Sequence, residues 1–279
     1  MRIIDAHHHV WDLDVRDQDW ITGPGLAPLR RNFTIGDLEP QARAAGVTGT
    51  VLVQTVTVAE ETPEFLALAG QSDLVAGVVG WTDLTDPGIA DTLAALRELP
   101  GGQSLVGIRH QVQGEPDIGW LLRPDVLRGL AAVAAAGLVY DLIVLDHQLP
   151  VATAAAARLP GLTFVLDHLG KPPIAGGALQ PWACDVRALA ARPNTVCKLS
   201  GMAAEAGADW TTRALRPYAD TVLEAFGPGR LMFGSDWPVC TLGSSYGEVV
   251  DTAHQLTDVL NETEREQFFG ATASRVYGI

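Results

Sequence analysis

The chain has seven histidines, and three of them are consecutive in "DAHHHVWD", Asp5–Asp12. Side chains alternate along a strand, so His7 and His9 share one face and His8 takes the other. Two imidazoles placed this way can hold one cation or polarise one substrate atom; the bland alternative is a partly exposed pair holding nothing. Strict alternation also sets Asp5 on the face of the pair, one step deeper. "FGSDWP" (Phe233–Pro238) places a carboxylate, Asp236, just past an apolar run. Such a group can bind a cation, take a proton from water, or merely cap the next helix. "LDHLGKP" (Leu166–Pro172) offers His168, a third imidazole or a structurally satisfied histidine, with Lys171 read as loop. "GIRHQVQ" (Gly107–Gln113) offers Arg109, a natural partner for a carboxylate or oxyanion. Alternation lets only one of Arg109 and His110 face inward, and Arg109 is the better candidate.

The elements that must position these groups recur regularly. Short apolar, β-branched-rich runs begin at Arg2, Thr50, Leu74, Leu105, Val139, Leu162, Thr195 and Arg230, with helical stretches between most of them. Gly46 and Gly137 sit where helices should stop, and Pro124–Asp125 where one should start. Strand–helix alternation repeated about eight times predicts an α/β fold, a single (β/α)8 TIM-like barrel over residues 1–279, distorted in detail. An open doubly wound sheet is the competitor. The stretch Asp12–Arg31 reads as a long loop after the first strand, on the side where barrels keep function. Chemistry in a barrel gathers at the C-terminal strand ends. Those positions carry His7, His9, Gln54, Trp81, Arg109, Gln148, His168, Lys198 and Asp236. Gln54, Trp81, Arg109 and Gln148 are expected to touch substrate. In a closed barrel the last strand lies beside the first, so Asp236 should meet His7 and His9. Trp11, Trp81, Trp120 and Trp237 are candidates for an aromatic wall.

Composition narrows the partners. The net charge is −14, which argues against nucleic acid and anionic membranes. Hydrophobic residues are 47% and charged residues 19% of the chain, enough for a large core and too apolar for global disorder. Cys184, Cys197 and Cys240 match no C-x-x-C pattern, and the start shows no apolar signal region; a cytoplasmic location is expected. The apolar stretch Leu130–Leu145 is broken by Gly137 and Asp141 and reads as helix end, turn and strand, not a membrane span. "GSSYG" (Gly243–Gly247) formally matches a nucleophile elbow, but its strand has already ended and the only later histidine is His254.

"DAHHHVWD", "GIRHQVQ", "LDHLGKP", "KLSG" and "FGSDWP", in this order, resemble the amidohydrolase superfamily, specifically its amidohydrolase-2 branch with the sugar-lactone hydrolases. Trp11–Asp12 after His-x-His is more like the L-fuconolactone and L-rhamnonolactone hydrolases than the related decarboxylases. The resemblance implies a distorted barrel, hydrolysis of a lactone ring, a role in carbohydrate catabolism, and a core site of His7, His9, His168 and Asp236. On metal the branch divides. Strand 4 ends in Arg-His-Gln without a lysine, so the expectation is at most one divalent ion, zinc first, on His7, His9 and Asp236, or none. Asp236 would then activate water, the histidines would polarise the carbonyl directly or through the ion, and Arg109 would hold substrate. The rivals are a metal-dependent decarboxylase on the same barrel and a barrel that binds without catalysis. The expected partner is a small sugar lactone, and a homo-oligomer is compatible with the sequence.

Overall fold

Each apolar run forms a strand: β1 (Ile3–His8), β2 (Val47–Val53), β3 (Val75–Gly80), β4 (Leu105–His110), β5 (Val139–Leu142), β6 (Phe164–Leu166), β7 (Thr195–Leu199) and β8 (Leu231–Phe233). This computed structural model describes residues 2–207 and 209–279. All seven neighbouring pairs are parallel and run in chain order, the topology of a (β/α)8 barrel. Side-chain alternation divides the core in two. Val51, Val53, Val79, Val139, Val165, Val196 and Met232 fill the interior with Ile4 and Ala6. Leu52, Val78, Ile108, Phe164 and Phe233 point out and pack under the helices. Ala273 and Tyr277 of the terminal helix Thr272–Tyr277 join the inner cluster and plug the barrel.

The helix boundaries follow local chemistry. Pro124 opens the helix Pro124–Ala135, where its missing N–H costs no hydrogen bond. Gly46 and Gly137 follow helix ends with φ of 78° and 69°, a conformation that favours glycine. Ser245 of "GSSYG" caps the helix Tyr246–Leu256 by accepting from Glu248 N–H, and His254 stacks on Phe269, so no nucleophile elbow exists there. No described helix is long and apolar enough to cross a membrane.

Two departures from an ideal barrel build the site. Asp5 pairs opposite Thr50 and His8 opposite Leu52, three steps along β1 against two along β2. This bulge breaks the alternation between Asp5 and His7. Ile4 and Ala6 point inward, yet so does His7. Asp5 is not below the histidine pair: it accepts from Ser235 and from Tyr246 of an outer helix. The second departure is the seam. β8 is only three residues long, and closure passes to the segment after it. Asp236 N–H donates to the His7 carbonyl at 2.8 Å, and His9 N–H to the Trp237 carbonyl at 2.7 Å.

Candidate active site

The seam brings the ends of the chain together. Asp236 Oδ1 lies 3.8 Å from His7 Nε2, 3.6 Å from His9 Nε2 and 3.6 Å from His168 Nε2. Both Asp236 and His168 adopt left-handed backbone, with φ of 58° and 51°. Such conformations cost energy in ordinary residues and concentrate where geometry serves function. Two glycines make the room. A Cβ on Gly234 would stand 2.9 Å from His7 Cβ, and one on Gly201 2.7 Å from His168 Nδ1. The glycines of "FGSDWP" and "KLSG" are therefore spatial requirements of the histidines.

Each imidazole is oriented through its other nitrogen. His9 Nδ1 donates to the Val53 carbonyl at 2.8 Å, and His168 Nδ1 meets Ser200 Oγ at 2.8 Å. His7 Nδ1 lies 3.1 Å from Lys198 Nζ and 3.3 Å from Asp167 Oδ1. Beneath the histidines is a buried charged layer. Lys198 binds Asp141, which also accepts from Tyr277 Oη, and Arg109 Nη1 donates to Asp167 Oδ2 at 2.9 Å. Burial pushes the Asp141 carboxyl up to about 6 against the pull of Lys198. Burial acts on Asp167 too, but Lys198, His7 and Arg109 outweigh it and hold Asp167 well below the usual carboxylate range. Asp236 is likewise lowered: burial is overcome chiefly by His168 and His9, so it is an ionised proton acceptor at neutral pH. Burial depresses His168 to about 4 and holds His7 well below the ordinary imidazole value, leaving both neutral there.

The groups open into a cavity of about 570 Å³, counting its mouth. His9, Arg109, His168 and Asp236 form its floor; Trp20, Gln111, Gln113, Lys171 and Glu205 contribute to its walls. Arg109, not His110, faces the barrel. Four of its five N–H groups go to Gln54 Oε1, the Gln54 carbonyl, Asp167 and His7, leaving one for a ligand. Gln54 is buried and holds Arg109 instead of lining the cavity. Trp81 and Gln148 also lie off it. Trp81 donates to His110, which stacks on Trp120 and bonds Glu115. Gln148 is consumed by the Leu145 N–H and the Val112 carbonyl. Trp11 and Trp237 are core residues packed against Phe33, and the aromatic wall is Trp20 from the long loop. Lys171, read as loop from sequence, reaches the cavity and pairs with Glu205 at 3.5 Å. Only the polarity of the loop after His168 hinted at it. Asp141 and Lys198, charged residues inside apolar strands, were the readable signs of the buried layer.

A metal fits one position. His7, His168 and Asp236 offer donor atoms all within 4.8 Å of one another, and His9 Nε2 is 3.1 Å from His7 Nε2. Donors about 2.0–2.1 Å from a tetrahedral zinc stand roughly 3.4 Å apart, close to these separations. His168 thus joins the three ligands expected from sequence. A second acidic cluster, His7, Asp141 and Asp167, already surrounds the Lys198 ammonium, which supplies the positive charge there.

Residues 4–279 match the model of the amidohydrolase family. An L-fucono-1,5-lactonase of Burkholderia multivorans is 39% identical, over 99% of this chain and 96% of its own length. Its counterpart from Burkholderia ambifaria is 37% identical, over 99% and 95%. A crystal structure of an amidohydrolase from Burkholderia multivorans with bound zinc superposes with a TM-score of 0.94, at 39% identity, covering 100% of both chains.

Proposed function

We propose that this chain, which belongs to the amidohydrolase family, opens the ring of a sugar-derived lactone by adding water across its ester. The observation that carries the reading is an ionised Asp236 encircled by three imidazoles on the floor of a polar cavity. The two lactonases that match over nearly the whole chain support the substrate class, with L-fucono-1,5-lactone as the first compound to try.

Asp236 accepts a proton from water as the oxygen attacks the lactone carbonyl carbon. Positioned general bases supply about 10²–10⁴ in rate. The carbonyl becomes an oxyanion, for which the spare Arg109 N–H and the Lys171 ammonium, from residues that line the cavity, would be the donors. Where no ion is bound, His168 contributes an Nε2–H when Ser200 donates to its Nδ1; where one is bound, the same nitrogen would be a ligand. Collapse breaks the ring C–O bond, and Asp236 returns its proton to the departing alkoxide, giving the hydroxy acid. His7, His9, His168 and Asp236 would hold one divalent ion, zinc first, which when bound supplies Lewis acidity toward the carbonyl. We infer no second ion, because Lys198 occupies the other cluster. Three unpaired cysteines fit a cytosolic enzyme.

The test is acid release, read with a pH indicator, from L-fucono-1,5-lactone and a panel of aldonolactones. Saturable acid release is expected. A folded protein that releases none from any of them, or that evolves CO₂ from a benzoate, overturns the reading.

A further inference from the structure

The cations at the site come paired with carboxylates. Lys198 has Asp141 and Arg109 has Asp167, two carboxylates fully buried beneath the cavity. On the wall, Lys171 Nζ stands 3.5 Å from Glu205 Oε1, with side chains 23% and 29% exposed. Among the described residues that line the cavity, no lysine or arginine lacks such a partner, while Asp236 faces imidazoles. The protein therefore offers no spare positive charge of its own to a substrate carboxylate.

Both wall residues are placed by the segments that build the floor. Lys171 ends the left-handed turn that begins at His168, with φ of 50° and its N–H on the His168 carbonyl at 2.8 Å. Glu205 lies on the short helix Met202–Ala206, which starts from Gly201, the glycine that makes room for His168; its N–H reaches the Gly201 carbonyl at 3.2 Å. Burial raises the Glu205 carboxyl above its ordinary value, and Lys171 is the largest influence opposing that rise. Arg109 and Lys171 can only donate hydrogen bonds, whereas the hydroxyls of a sugar lactone also have protons to give. Gln111 and Gln113 add neutral amide oxygens, but Glu205 is the charged acceptor left for those hydroxyls, since Asp236 is taken by the attacking water.

We propose that Glu205 is a specificity-determining residue: it accepts hydrogen bonds from the hydroxyls of an uncharged sugar lactone and, by cancelling the Lys171 charge, turns away lactones that carry a carboxylate. Asp167 neutralises Arg109 from within the core, whereas Glu205 is a counter-charge on the cavity wall itself. An ion on the floor leaves the argument intact, because removing Glu205 changes the wall by one unit of charge in either case. The inference rests on the reading of this cavity as a lactone site.

The experiment sets two compounds against hydrolysis of L-fucono-1,5-lactone, or of whichever neutral lactone the panel identifies. D-Glucono-1,4-lactone and D-glucaro-1,4-lactone differ only in a terminal CH2OH against a carboxylate, so their competition constants, as inhibitors or rival substrates, isolate charge. In Glu205→Gln, with folding checked by circular dichroism, KM for the neutral lactone should rise with kcat little changed. The glucarolactone should compete about tenfold better than in the native protein, the order expected when one unit charge is removed near a partly exposed wall. The gluconolactone should compete no better. The gain should shrink as salt is raised, and Glu205→Asp, which keeps the charge, should exclude the glucarolactone as the native protein does. Should Glu205→Gln not fold, Glu205→Ala tests the same loss of charge, with the gluconolactone reporting any widening of the cavity. Equal gains by both compounds, no gain by the glucarolactone, or a loss of kcat at unchanged KM each overturns the proposal while the lactonase reading stands. A native protein that hydrolyses no lactone overturns that reading, and the inference with it.

Discussion

The interior of this barrel has two layers of opposite character on the same strands. Val51, Val139, Val165, Val196 and Met232 form an apolar floor. One step further along, Asp141, Asp167 and Lys198 form a charged layer, completed by Arg109 and by Tyr277 from below. The floor needs only shape, because hydrophobic burial is non-directional. The charged layer needs every partner in place, since a buried charge without one is strongly unfavourable. The difference shows where the fold is tolerant and where it is specified atom by atom.

Single substitutions separate the layers. Lys198→Met leaves two buried carboxylates without their shared cation and should cost about 3–5 kcal/mol in urea unfolding, together with activity. In the floor, Met232→Ala should cost about 2–5 kcal/mol through a cavity, with kcat nearly intact in whatever folds. A floor variant that lost activity as steeply as a charged-layer variant would erase the contrast. Above both layers, Asp236→Asn keeps shape and removes the proton acceptor. Its kcat should fall by about 10² or more with KM little changed, measured by steady-state kinetics on the lactone found by screening. A folded variant with near-normal kcat removes Asp236 from catalysis.

Smaller effects sharpen the boundary of the site. Gln148→Ala leaves the Leu145 N–H and the Val112 carbonyl unpaired and should cost about 1–3 kcal/mol, without changing kcat/KM. A selective rise in KM would return Gln148 to the substrate. His8 makes the finest comparison with its neighbours. It is buried with both ring nitrogens unpartnered, and burial lowers it from 6.5 to about 3. The unfolded chain then protonates first, so this contribution is intact above pH 6.5 and is lost as pH falls toward about 3. The loss is at most about 1.4 kcal/mol per pH unit. His8→Leu should flatten the stability profile in that window; an unchanged slope would mean that His8 finds a proton partner.

Much of this was legible because it is local. Hydrophobic runs and glycine and proline punctuation mark eight strands and several helix ends, and parallel closure follows from their alternation. Closure alone also brings Asp236 to the strand-1 histidines. The residues that depart from their local pattern share a cause. Asp5 leaves the face that strict alternation assigns it, because a bulge is a relation between two strands and alternation is a property of one. Trp81 stands just past β3 and Gln148 in the helical turn that follows β5, yet His110 and backbone groups claim their polar atoms first.

The barrel and the types of group at its mouth are encoded locally, since burial periodicity and residue chemistry are properties of short segments. Which nitrogen of each imidazole faces the site, the grip of Gln54 and Asp167 on Arg109, and the placing of Lys171 and Trp20 on the cavity wall arise in the folded chain alone. These depend on distances of about 3 Å between residues far apart in the chain, the range within which a hydrogen bond is made or lost.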